Sequence, residues 1–183
     1  MTKIKNYLKI TYNLSNYQIA QLVFLCKTLT SEVSKIIIMG AIFHNNFTLY
    51  LFALFIMVFL RSSMGGLHFD TYIGCLATSI LYLWLAVYIL PKITIEIYLQ
   101  LLALLLCILL CNYIGPIISH HRPTACKKQF SKCKRFITTF TFLYALILYI
   151  IPDNRYLYVG FWVIILHSLQ LVIAKIQKKG EPI

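Results

Sequence analysis

Acidic side chains are nearly absent from this sequence. Its 183 residues hold only five, Glu32, Asp70, Glu96, Asp153 and Glu181, against seventeen lysines and arginines, for a formal net charge of +12. Asp70 and Asp153 are too isolated to act as a paired-carboxylate site. Glycine and proline are also sparse, at seven and five. No repeat, low-complexity tract or Pro/Gly/Ser-rich linker divides the chain, which favours a single membrane domain over 1–183. Phosphate loops, dinucleotide fingerprints and His-Glu-x-x-His helices are missing too. Neither a cofactor, a resident metal nor a nucleic-acid partner is expected.

Charge is missing altogether from five long intervals, 36–60, 71–91, 97–121, 136–152 and 156–174. Each approaches the roughly 20 apolar residues that cross a bilayer as a helix. With 60% hydrophobic residues and a mean hydropathy of +0.79, the chain has more apolar surface than a soluble domain can bury. Hydrocarbon offers backbone amides no partner, so such segments fold as helices. The expected fold is an all-α integral membrane protein, a polytopic helical bundle of four to six membrane segments. Pro91, Gly115-Pro116 and Pro152-Asp153-Asn154 mark helix ends.

The first 35 residues read as an amphipathic helical region. Tyr7, Ile10, Leu14, Tyr17, Ala20 and Phe24 recur every three or four positions. Lys3, Lys5 and Lys9 give the start a superficial likeness to a signal peptide, but Asn13, Ser15, Asn16, Gln18 and Gln21 interrupt the apolar stretch. The region is expected to be retained and to lie among lipid headgroups.

Cations gather in the first 35 residues, in 122–135 and at Lys175, Lys178 and Lys179. Short basic segments stay cytoplasmic. Five simple crossings from a cytoplasmic start violate this. Either 10–26 crosses as a sixth helix, or 36–60 dips in and returns, its apolar run being broken by His44, Asn45 and Asn46. Both arrangements leave the termini, the 61–70 loop and the basic 120–135 loop in the cytoplasm.

Chemistry concentrates in 61–75, between two apolar spans. A thiolate is an acyl acceptor when a neighbouring imidazole takes or balances its proton, which singles out Cys75 and His68. On one straight helix the seven-residue spacing would separate them by roughly 10 Å of rise. They meet only across a helix break. Gly65-Gly66 supplies a flexible turn, and Asp70 is a fitting cap for a helix starting at Thr71, with His68 on the loop and Cys75 on the second helical turn. Composition alone leaves a plainer alternative open, in which Cys75 is a small hydrophobe, His68 an interfacial residue and Gly-Gly a turn.

The order and spacing of Arg61, Gly65, Gly66, His68 and Cys75 resemble the catalytic region of the accessory gene regulator protein B family. Chain length, the basic amphipathic start and the stretch from Gly115-Pro116 through Pro123 to Lys134-Arg135 extend that resemblance over nearly the whole chain. It implies a membrane cysteine endopeptidase in a bacterial cell membrane that removes the C-terminal segment of a small quorum-sensing peptide precursor. Cys75 would attack the scissile carbonyl, with His68 as base and then acid, and Arg61, Gly65 and Gly66 in support. An internal side chain of the peptide would then close a ring on the thioester. The implied partner is an amphipathic precursor with an acidic tail, and the implied assembly a homodimer. Lys127, Lys128, Lys132, Lys134 and Arg135 are suited to attract that tail, and equally suited to hold anionic membrane lipid.

Other polar residues read more simply. Cys107 and Cys111, one turn apart, are expected to pack, and His167 and Ser168 to make an interhelical contact. Cys126 and Cys133, with His120 and His121 upstream, lack structural-zinc spacing. The competing functional class is a non-enzymatic membrane protein, a peptide-immunity or transporter component. The apolar intervals hold no Asp, Glu, Lys or Arg, which weakens the transporter version.

Overall fold

A computed structural model describes residues 30–67, 71–117 and 127–179. The described residues form helices and no strand. The chain divides into two compact units, Met1–His44 and Asn45–Ile183. In the first, a helix over 30–42 (α1) carries an i,i+3 ion pair, Lys35 Nζ to Glu32 Oε1 at 2.7 Å, with the glutamate largely in the open. Much of the amphipathic 1–35 region lies outside the described residues. The polar tripeptide His44–Asn46 forms a short 3-10 turn, so the 36–60 interval is broken where its polarity foretold.

The second unit contains α2 (Phe47–Met64), α3 (Tyr72–Trp84), α4 (Ile97–Ile114), α5 (Lys127–Ile150) and α6 (Arg155–Lys179). Among the described residues, five helices are long and apolar enough to cross a membrane, the first counted from His44. The α3 span continues through a π-turn, Leu85–Ile89, and a 3-10 turn, Leu90–Lys92, before stopping. Pro91 lacks an amide hydrogen, and the widened turn carries the chain to it: the Leu90 amide donates to Leu85 O.

The helices run alternately up and down. At one end the Ile117 amide donates to Met64 O at 2.9 Å, tying the exits of α4 and α2. Lys175 of α6 lies 4.5 Å from the Tyr113 ring of α4, at the same end. At the other, the Tyr156 hydroxyl of α6 donates to Thr48 Oγ1 of α2 at 3.2 Å. There Tyr158 donates to Ile93 O and accepts from the Ile95 amide. Asn154 caps α6, its Oδ1 accepting the Tyr156 amide at 2.9 Å.

Helix α6 is the most enclosed of the five, and α4 and α5 the least. Gly160 allows this closeness: a Cβ there would lie 2.6 Å from Ile56 Cδ1 of α2 and would collide with the Tyr144 hydroxyl of α5. Phe59 of α2 meets Phe136 and Phe140 of α5 with ring centroids 4.8 Å apart. The outer faces stay apolar, with Leu99, Leu102, Leu105 and Leu109 of α4 exposed, as lipid-facing surfaces are.

Candidate functional site

Helix α2 ends at Gly65, whose φ of 77° and ψ of −152° lie in a region essentially reserved for glycine. A Cβ at Gly65 would run into the Ile117 carbonyl. The chain then folds back over Arg61, whose Nη2 donates to Leu67 O at 3.3 Å. A Cβ on Gly66 would sit 3.3 Å from Arg61 Nε and 3.8 Å from Gln170 Oε1. So the glycine pair has two separate jobs: Gly65 reverses the chain, and Gly66 lets it lie flat against Arg61 and α6.

His68 and Asp70 lie outside the described residues. The chain re-enters at Thr71, which is extended (φ −100°, ψ 139°) and caps α3 by accepting the Gly74 amide on Oγ1 at 3.3 Å. This corrects the sequence expectation by one residue. Thr71, not Asp70, is the cap, and the helix starts at Tyr72. Both types cap well, so sequence alone did not choose between adjacent positions. Cys75 is the fourth residue of α3 and is half-buried. Its amide is already engaged, donating to Thr71 O at 3.1 Å. Its carbonyl accepts from Ser79 Oγ at 2.9 Å and Thr78 Oγ1 at 3.1 Å. Because α2 stops at Met64 and α3 starts at Tyr72, no straight helix runs through the His68–Cys75 interval.

The same end of the bundle gathers cations. The basic stretch expected as a loop is helical from Lys127 onward, since nothing after Pro123 opposes helix formation. Lys132 and Arg135 are exposed and Lys134 is half-buried beside Gly115, whose φ is 74°; a Cβ on Gly115 would lie 3.3 Å from Lys134 Cε. A cavity of about 540 Å³ opens between α4 and α5, lined by Asn112, Ser131, Lys134, Arg135, Thr138 and Thr139 among others. Asn112 is held there by hydrogen bonds to Thr138 Oγ1 at 2.8 Å and Ile108 O at 2.9 Å.

Cys107 and Cys111 are buried packing residues, as expected. Ser168 makes the interhelical contact foreseen for it, 3.2 Å from Cys107 Sγ. His167 is 1% exposed, and neither ring nitrogen has a hydrogen-bond partner among the described residues. Cys133 is half-buried on α5, while Cys126, His120 and His121 lie outside the described residues. Asn112, His167 and Gln170 are polar residues of the site region that sequence alone did not single out as site residues. Their signal is that each stands as a polar group within an apolar span.

A polytopic helical membrane protein with a half-buried cysteine at a helix mouth, a glycine-built turn before it and a cationic rim defines the class. The family model of accessory gene regulator B matches residues 1–171, and the chain belongs to that family. No curated protein and no solved structure matches it. Membership implies a part in accessory gene regulator quorum-sensing peptide processing, carried out by a multi-pass membrane protein.

Proposed function

We propose that this protein is a membrane-embedded cysteine endopeptidase that cleaves the C-terminal segment from a small quorum-sensing peptide precursor. The observation that carries the reading is the helix break between Met64 and Tyr72, which leaves Cys75 at a helix start beyond a turn tied down by Arg61 and Gly65. In this scheme Cys75 Sγ bonds to the scissile carbonyl carbon as His68 takes the thiol proton. The C–N bond then breaks, and His68 returns that proton to the leaving amine. The position at a helix start favours negative charge developing beside it. The thioester that remains keeps its acyl activation only while water is excluded, and a thiol or hydroxyl within the peptide then displaces Cys75 to close a ring.

The precursor's acidic tail fits the cationic end, where Lys134 and Arg135 line the α4–α5 cavity and Lys132 flanks it. The up-and-down order places Arg61, Lys132, Lys134, Arg135 and Lys175 at this end, while Glu96 and Asp153 sit at the other with Lys92 and Arg155. Positive charge retained inside makes the Cys75 end cytoplasmic.

The test is co-expression of candidate precursors with wild type, Cys75→Ala and His68→Ala in membranes. Cleavage by wild type and its loss in both inserted variants is the expected result. Continued cleavage by both variants returns the protein to the non-enzymatic class, in which the 61–75 turn is only a connection.

A further inference from the structure

An acyl transfer at Cys75 develops negative charge on the scissile carbonyl oxygen, and a donor must meet it. The nucleophile's own amide often serves in such sites. Here it is spent, since Cys75 N donates to Thr71 O within α3. A side chain on another element can supply the donor that this amide does not.

One hydrogen bond between α3 and α6 gives the register between them. The Tyr82 hydroxyl of α3 donates to Val163 O of α6 at 2.5 Å, and the two helices run antiparallel. Moving seven residues toward the cationic end on each, roughly 10 Å of rise, brings Cys75 and Gln170 to the same level. Seven residues is also nearly two full turns, so Cys75 lies on the face of α3 that Tyr82 turns toward α6. The parallel pair α2 and α6 gives the same answer. From the Thr48–Tyr156 contact, equal steps along both helices bring Arg61 level with Leu169 and Gln170.

This seam holds more hydrogen-bonding capacity than the fold uses. Gln170 Oε1 is buried and unpartnered among the described residues, and so are both ring nitrogens of His167, one turn below. Unmet polar groups inside an apolar bundle cost stability unless something else engages them.

We propose that Gln170 is a catalytic residue, its side-chain amide donating to the scissile carbonyl oxygen as the tetrahedral intermediate forms on Cys75. Arg61 and Gln170 both come up to Gly66. A shift of the guanidinium onto Gln170 Oε1 fixes the amide so that Nε2 faces the substrate. As the Cys75 sulfur bonds to the carbonyl carbon, the carbonyl electron pair moves to the oxygen and is held by Nε2–H. It returns when the C–N bond breaks and the amine leaves with its proton.

This inference rests on the peptidase reading of Cys75, and its test is arranged so that the two can fail separately. The purified full chain in lipid is treated with p-nitrophenyl acetate, which acylates a thiol through an oxyanion, and with iodoacetamide, which alkylates a thiol without one. The Cys75-dependent part of each rate is obtained by subtracting that of Cys75→Ala. Gln170→Met is expected to lower acylation about 100-fold or more, in the range for loss of one oxyanion donor, with alkylation unchanged. Gln170→Leu, which also removes the donor, is expected to do the same. Unchanged acylation in both variants overturns the proposal, as does an equal fall in both reactions, which marks lost access or folding. Precursor cleavage that survives Cys75→Ala overturns the peptidase reading on its own.

Discussion

Replacing Gly65 by alanine strikes the turn that delivers the chain from α2 toward Cys75. The residue's φ of 77° and ψ of −152° cost a side-chain-bearing residue about 1 to 3 kcal/mol. The new Cβ also runs into the Ile117 carbonyl, a backbone atom that moves only if the Met64–Ile117 hydrogen bond gives way. That bond is worth about 1 kcal/mol. Together they set about 2 to 4 kcal/mol against the working turn, which at 1.4 kcal/mol per factor of ten lowers precursor cleavage by at least about tenfold. Gly66→Ala is the matched control. Its Cβ would meet Arg61 Nε at 3.3 Å, the far end of a side chain able to swing aside, and a loss within about threefold is expected, under 1 kcal/mol. The assay is cleavage rate in membranes, normalised to inserted protein. If Gly65→Ala cleaves as well as Gly66→Ala at equal membrane levels, the turn does not position the site as argued.

Neutralising Lys132, Lys134 and Arg135 together should raise KM for an acidic-tailed precursor several-fold and leave kcat nearly unchanged, with the difference shrinking as salt rises; a KM unmoved by the triple change leaves only the lipid-anchor role. Thr71→Ala removes the α3 cap, worth about 1 kcal/mol, and should slow both cleavage and Cys75 alkylation several-fold by fraying the first turn. Asn154→Ala removes the α6 cap at the opposite end of the bundle. It should lower thermal stability by about 1 kcal/mol while leaving cleavage per folded molecule intact, and lost specific activity would contradict the separation of the two ends.

The five spans were legible because charge is so rare: gaps between charged residues outlined every helix of the second unit. Their ends were less legible where charge and structure part company. Charge marks where lipid stops, not where a helix does, so α5 runs back through the cationic Lys127–Arg135 stretch that was expected as loop. The break at His44–Asn46 and the stops at Gly115 and Pro91 followed from local chemistry and fell where the residues indicated. Cys75, Arg61 and the glycine pair were nominated from one short segment, since their spacing is local. Gln170 was not, because it comes up to Gly66 only through the packing of α6 against the turn after α2, which no local spacing announces.

The most direct measurement is mass spectrometry of the Cys75-bearing peptide, taken from membranes in which the protein is turning over a cleavable precursor. The account predicts a precursor-derived acyl group on Cys75 that hydroxylamine releases, accumulating when the ring-closing residue of the precursor is removed and missing in Cys75→Ala. An unmodified Cys75 during ongoing cleavage, or the same acyl group mapped to another residue, would contradict it.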